Sequence, residues 1–486
     1  MILRTIYNEE LAQASYLVGC SATGEALIID PNRDIEQYIQ LAASKDLRIT
    51  AITETHIHAD FVSGARELAQ RTGAQLYLSD TGPAEWKYRF AAEAHATLLQ
   101  DGDTFKVGNV RMQALHTPGH TPEHLAFLLV DTASADKPMG LFTGDFVFVG
   151  DVGRPDLLER AAGIKGTMEV GARQLFQSLQ KLRDLPDYLQ IWPAHGAGSA
   201  CGRALGAVPQ STLGYEKLFN WAFSIHDEET FVKAVLAGQP EPPFYFAEMK
   251  RVNKEGPAIL ANVALPAQLT AEQLAQLIAQ QGQVVDLHSA GDYATQHIPG
   301  TISIPLDRSF LDRAGWLISS QRPFALIADE QGVLQAIRLL RLIGIENLAG
   351  FWPLDVITTW SRAGHPVKQL TTITVDELQA RLNNRHEVTL IDVRGASEYA
   401  TSSIREAHNI PLGYVQRRLN EIPKDRPVVV MCYSGQRSAI VFSVLEKYGY
   451  TNIENLQGGF EAWEKAGYPI VREGQRTQGA MTIASA

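Results

Sequence analysis

Only three cysteines (Cys20, Cys201 and Cys432) occur in 486 residues. That is too few for a disulfide framework, and it fits a chain that works in the reducing cytosol with a thiol kept for chemistry. Long apolar runs are missing too. The longest, such as residues 125–130 and 428–432, fall far short of the roughly 20 residues that cross a bilayer. Arg4, Glu9 and Glu10 stand where an export signal needs its apolar segment, so a cytoplasmic location is expected. Basic clusters are also absent: 43 Lys plus Arg against 54 Asp plus Glu give a net charge of −11, and no aromatic-interleaved basic patch offers nucleic acid a footprint. What is present is a globular composition, 45% apolar and 20% charged, long enough for about three domains of roughly 150 residues.

An internal repeat organises the second half. Asp286-Leu-His-Ser-Ala-Gly-Asp-Tyr293 followed by Ile304-Pro305-Leu306 matches Asp392-Val-Arg394-Gly-Ala-Ser-Glu-Tyr399 followed by Ile410-Pro411-Leu412, at an ungapped offset of 106 residues. Each copy opens on an amphipathic helix (271–280, 374–382), and buried strands follow at 284–287 and 324–328, or 388–393 and 428–432. Strands alternating with helices indicate a parallel sheet covered on both faces, with the active loop at a strand's carboxyl end. The expected division is residues 1–245, a first copy over 246–366, a second over 367–474 and a polar tail over 475–486, with 241–257 as the connection between halves.

In the first half, four apolar strands each deliver a polar residue just past their last apolar one. Residues 47–53 lead to Thr55-His56-Ile-His58-Ala-Asp60-Phe61, 110–115 to Thr117-Pro-Gly-His120-Thr, 139–143 to Gly144-Asp145, and 188–192 to Pro193-Ala-His195. Strand ends are rigid, so ligands there can be held with the precision a metal demands. A lone loop histidine is usually only that, but four strand ends in agreement point to a metal site. His116 and His124 flank the second motif as weaker candidates.

This motif set resembles the metallo-β-lactamase superfamily, in its glyoxalase II and persulfide dioxygenase branch. The resemblance implies an αββα sandwich with the metal at one rim. Binuclear zinc members carry a ligating His directly after the motif Asp; here that position is Phe61. The expectation is therefore one metal on His56, His120 and Asp145, a two-His, one-carboxylate face with open positions suited to Fe(II) and O2. Zinc is also tolerable on three ligands; the similarity to persulfide dioxygenases favours one Fe(II) per chain. His58, Asp60 and His195 become groups that orient ligands or substrate.

Cys432-Tyr-Ser-Gly435-Gln-Arg437 follows a strand and opens a helix. Backbone N–H groups, the helix dipole and Arg437 all favour a thiolate or anionic persulfide there. With Asp392 and Arg394 upstream, the loop resembles that of the rhodanese sulfurtransferases, whose six residues from Cys to Arg hold a sulfane sulfur. Related phosphatases need one more residue. The first copy puts Asp329 or Ala328 in the cysteine's place, depending on alignment, so it is expected to be an inactive rhodanese-like domain. Cys201 lies six residues past His195 and is either a sulfur relay or a silent loop thiol; Cys20 reads as core.

The combination resembles persulfide dioxygenase–sulfurtransferase fusions: an α/β multidomain chain, a metallo-β-lactamase sandwich plus two rhodanese-like domains with parallel sheets. It implies oxidation of a small thiol persulfide by O2 to sulfite, sulfane transfer through Cys432 to give thiosulfate, and a homo-oligomer, with the thiol open among glutathione, coenzyme A and others. The alternative is a zinc-dependent glyoxalase II-like thiolesterase (hydroxyacylglutathione hydrolase) carrying a rhodanese sensing or docking module.

Overall fold

A computed structural model describes residues 1–162, 166–199, 201–202, 205–239, 241–260, 263–384 and 388–472; the tail 475–486 lies outside the described residues. The chain divides into two units, Met1–Asn262 with Arg341–Gly344, and Val263–Leu340 with Ile345–Ala486.

The first unit is built on two six-stranded sheets. One runs in the order Ile2–Asn8, Gln13–Cys20, Glu25–Ile29, Arg48–Thr53, Gln75–Ser79, Thr97–Leu99; the other in the order Ser211–Thr212, Gln190–Pro193, Gly140–Gly144, Leu125–Asp131, Val110–His116, Thr104–Val107. Alternate side chains of both sheets, among them Val18, Leu27, Met112, Phe127 and Phe142, form one shared core, as the period of two in a strand requires. The outer face of the first sheet is covered by helices Glu36–Ala43 and Ala65–Thr72, and that of the second by Thr167–Arg183. The result is helix, sheet, sheet, helix.

The expected connection over 241–257 is instead largely a helix of the first unit, Tyr245–Glu255. Its Asn253, 1% exposed, accepts the Ser63 N–H at 2.9 Å and donates to the carbonyls of His58 (2.9 Å) and Phe61 (2.7 Å). Apolar periodicity is weak there because the helix buries the polar Lys250 and Asn253 beside Phe246 and Met249, a pattern that resembles a linker.

The second unit holds both copies of the repeat. The first has a parallel sheet in the order Ile302–Ser303, Gln283–Asp286, Phe324–Ile327, Leu348–Trp352. The second matches it with Ala407–Asn409, Thr389–Asp392, Val428–Met431, Ile453–Leu456, and adds Thr372–Ile373 at the edge. Local detail repeats as well. Thr270 and Thr374 each close a capping box, with Gln273 and Glu377. Trp360 and Trp463 each donate to a proline carbonyl six residues on. Among the described residues, no helix is long and apolar enough to cross a membrane.

Candidate metal centre and sulfur-carrying loop

The rim of the sandwich gathers the strand-end residues. His56, His120 and Asp145 place one ligand atom each within 4.8 Å of one another, all buried. The Asp145 Oδ2 lies 3.5 Å from His120 Nε2 and 3.9 Å from His56 Nε2, yet none of these atoms has a hydrogen-bond partner among the described residues. Leaving a buried polar atom unsatisfied costs about 1–3 kcal/mol, so this trio of orphaned N, N and O atoms fits a metal ion.

The other ring nitrogens are tied down, which fixes the tautomers. His120 Nδ1 donates to the Arg154 carbonyl at 3.0 Å, leaving its Nε2 a bare acceptor, while His195 Nδ1 donates to the Ala12 carbonyl at 2.9 Å and its Nε2 lies 3.2 Å from Asp60 Oδ2. His56 Nδ1 meets Thr55 Oγ1 at 2.9 Å, and that hydroxyl donates to Asp30 Oδ2 at 2.9 Å. Burial, then the neighbouring positive charge, holds His56 and His120 well below the ordinary histidine pKa, so both stay neutral as ligands must.

His58 is placed differently. Its Nε2 lies 3.1 Å from Asp30 Oδ1, and its ring stacks on Phe61 at 4.3 Å between centroids. Burial opposes its charge, but the Asp30 carboxylate carries its pKa up to about 9. The His after the motif Asp is thus replaced by a fully buried aromatic that packs on the loop itself. Asp60 and His195 form a second group with Cys201.

Several residues here escaped the sequence reading. Asp30 also accepts the Thr55 N–H at 2.6 Å; it follows the strand Glu25–Ile29 as Asp145 follows its own strand, and that parallel was the available signal. Glu123 accepts the Ile57 N–H at 2.8 Å. His124, a weaker candidate, accepts the Asp145 N–H on Nε2 at 3.2 Å and meets Thr117 Oγ1 on Nδ1 at 2.8 Å; it positions a ligand rather than joining the trio. His116 points elsewhere, to the Pro122 carbonyl. Gly144 sits at φ +51°, where a Cβ would come within 2.5 Å of Thr55 Oγ1 and 2.7 Å of His124 Nε2, so only glycine lets the strand turn Asp145 inward. Lys250 is 8% exposed, with its Nζ 5.1 Å over the Trp86 ring and no hydrogen-bond partner among the described residues; burial lowers its pKa to about 8.

In the second unit, Cys432 follows Val428–Met431 and precedes the helix Gln436–Lys447. Its Sγ, 1% exposed, accepts the Gly435 N–H at 3.1 Å and the Ser438 hydroxyl at 3.5 Å. Arg437 makes a two-pronged pair with Glu398 at 2.7 and 2.9 Å. Arg394 pairs with Asp392 in the same fashion and lies 4.1 Å over the Phe460 ring. The registers Asp286↔Ile327 and Asp392↔Met431 make Ala328 the counterpart of Cys432. The helix then starts two residues after Ala328 but four after Cys432, so the first copy has neither the thiol nor the loop that would surround a sulfur. Cys20 is a core residue of the sandwich.

Two family models match: the metallo-beta-lactamase superfamily over residues 9–195 and the rhodanese-like domain over 374–466. A crystal structure of a metallo-beta-lactamase from Staphylococcus aureus subsp. aureus COL is 44% identical, covers 73% of this chain and 99% of its own, and superposes with a TM-score of 0.65. A mitochondrial persulfide dioxygenase of Bos taurus is 28% identical over 48% of this chain and 80% of its own length. A sulfurtransferase of Allochromatium vinosum is 41% identical over 20% of this chain and 90% of its own. Hydrolases match the first half as well, at 25% to 31% identity, a hydroxyacylglutathione hydrolase of Rhodospirillum rubrum among them. With almost the full length of a solved relative covered at 44% identity, the chain belongs to the metallo-beta-lactamase superfamily, in a form that carries a rhodanese-like domain in its C-terminal half.

Proposed function

We propose that the first unit oxidises a low-molecular-weight thiol persulfide with O2 to sulfite, and that Cys432 moves sulfane sulfur from a second persulfide to that sulfite, giving thiosulfate. The observation that carries this reading is the trio itself: His56 Nε2, His120 Nε2 and the Asp145 carboxylate lie together without hydrogen-bond partners among the described residues, while His58, held by Asp30 through Nε2, falls outside that group. A facial trio with open positions is the arrangement of iron(II) oxygenases. The similarity to the Bos taurus persulfide dioxygenase and the Allochromatium vinosum sulfurtransferase supports the pairing of activities.

Iron(II), when bound by this trio, supplies the activation of O2. The chain supplies the rest. Asp30, Thr55, the Arg154 carbonyl and His124 hold the three ligands in orientation. The buried rim keeps water from competing with persulfide, and His58, Asp60 and His195 orient ligands or substrate. The balance is RSSH plus O2 plus water giving RSH and sulfurous acid, with the four electrons of dioxygen reduction drawn from the terminal sulfur. At the second centre the Cys432 thiolate attacks the terminal sulfur of RSSH and expels RSH. Sulfite then attacks the Cys432 persulfide and leaves with its outer sulfur, restoring the thiolate. The Gly435 N–H and Ser438 hydroxyl stabilise the anion at each stage. The first repeat copy, lacking a nucleophile, serves as an inactive rhodanese-like spacer or docking surface.

The hydrolase reading keeps one observation in its favour, the Asp60 carboxylate and His195 Nε2, which have no hydrogen-bond partner among the described residues. Replacing Cys432 tests the coupled reaction. In C432S, O2 uptake on adding glutathione persulfide should persist while sulfite accumulates and thiosulfate disappears. Unchanged thiosulfate would remove Cys432 from the reaction, and absence of O2 uptake in the parent protein would remove the oxidation.

A further inference from the structure

At the carboxyl ends of the first copy's strands, where an open parallel sheet presents its ligand site, the second unit encloses a cavity of about 340 Å3. Just beyond the strands Gln283–Asp286 and Ile302–Ser303, Leu306 and Asp307 form one wall with Arg313 of the helix Phe310–Leu317. The opposite wall is Gln436 and Ile440, from the helix Gln436–Lys447 of the second copy. That helix follows Cys432, and the residue before Gln436 is Gly435, whose N–H donates to the Cys432 sulfur. The cavity therefore starts one residue, about 3.8 Å of chain, from a group that touches the reactive sulfur.

The two walls are fastened to each other. The Ser303 N–H donates to Ser443 Oγ at 3.0 Å, Lys447 Nζ donates to the carbonyls of Gly282 (2.7 Å) and Gly300 (3.1 Å), and His297 Nε2 meets Glu446 Oε2 at 3.0 Å. Ile440, Ser443 and Lys447 stand at i, i+3 and i+7, so the helix face that closes the cavity is also the face clamped to the first copy. The chemistry of the lining narrows what fits. Leu306 and Ile440 supply apolar surface, and the charged residues are one of each sign, Asp307 and Arg313. Arg313 Nη1 donates to Asp307 Oδ2 at 2.8 Å, and its remaining N–H donors are free to take a carboxylate in the fork geometry of a guanidinium. The Arg313 side chain is 10% exposed and that of Asp307 50%, so the cation is held in place while the carboxylate has room to turn toward an ammonium. The volume lies at the small end of ligand pockets, roughly 300–1,000 Å3, and a balanced pair offers no surplus positive charge to the phosphates of a nucleotide-bearing thiol.

We propose, on the sulfur-transfer reading of Cys432, that this cavity holds the thiol moiety of the persulfide that loads Cys432, and that this thiol is zwitterionic and peptide-sized, of the glutathione class. The α-carboxylate of the ligand pairs with Arg313 and its ammonium with Asp307, and the ligand runs past Gln436 to bring its persulfide to the loop. There the Cys432 thiolate attacks the outer sulfur of RSSH. The new Sγ–S bond forms as the old S–S bond breaks, and the departing RS− takes the persulfide's proton and leaves as RSH. The first copy is then half of the donor site, a role that asks for no nucleophile.

Anaerobic transfer by the full-length chain separates this centre from the oxidation. With sulfite supplied and glutathione persulfide as donor, R313Q should lower kcat/KM for thiosulfate formation tenfold or more, through KM. Transfer from thiosulfate to cyanide, whose donor has no thiol moiety, should stay within twofold. Equal losses in the two assays, or no loss in the first, overturn the proposal. Coenzyme A persulfide should be a donor at least tenfold poorer than glutathione persulfide; equal use of the two overturns the assignment of the ligand. If R313Q does not fold, Q436W, a change at an exposed position of the same cavity, takes its place with the same outcomes. A parent chain that performs neither transfer removes the sulfur-transfer reading of Cys432 instead. Calorimetry with S-methylglutathione then decides the cavity alone: binding at least tenfold weaker in R313Q or Q436W keeps it, and unchanged binding overturns it.

Discussion

Asp30 shows how much of a metal centre rests on groups that never touch the metal. One carboxylate fixes the Thr55 backbone and hydroxyl, and through that hydroxyl the ring of His56, while its other contact holds the ring of His58 through Nε2. Replacing it by Asn keeps the size and removes the charge that holds His58. D30N should lower metal affinity roughly 10- to 100-fold, the range found when an outer partner of a ligand is lost. Equilibrium dialysis against iron(II) checks this, and affinity within twofold of the parent would show that Asp30 does not organise the site. A direct ligand should behave more severely, with H120A retaining no stoichiometric metal. Histidines and acids at strand ends were legible in the sequence because each followed an apolar run. Asp30 followed one too, but its role depends on where Thr55 and His58 arrive from another strand. Lys250 is reached only through tertiary approach, which residue spacing does not encode.

Among the elements, the helix Tyr245–Glu255 and the two Cys432-type loops carry the largest differences from expectation. Asn253 serves three backbone groups of the motif loop from a site 1% exposed. N253A strands those groups and should destabilise the first unit by about 1–3 kcal/mol, read as an earlier urea midpoint in the transition of that unit. Thr374 closes a capping box at the helix Val375–Asn383, and T374A should cost the second repeat copy about 1 kcal/mol without changing metal content. The parallel sheets and helix order were readable because buried strands and capped amphipathic helices repeat at a fixed offset. The position of the missing nucleophile was not, since two alignments of the first copy disagreed. Strand register resolves it at Ala328, because the loop after that strand is shorter by two residues and sequence gaps cannot be placed without the pairing.

For the whole molecule, the division into two units predicts that loss of metal is felt by one of them. A ligand present at 100 times its Kd contributes about 2.7 kcal/mol to the state that binds it. Chelation should therefore advance one unfolding transition and leave the other in place; a uniform shift of both would contradict a metal confined to the first unit. The most direct test of the function is the metal content of the full-length chain purified without added metal, measured together with O2 consumption on adding a thiol persulfide. About one iron per chain and O2 uptake that yields sulfite or thiosulfate is the expected result. Two zinc ions per chain, no O2 uptake and hydrolysis of a glutathione thioester would contradict it and make the first unit a hydrolase.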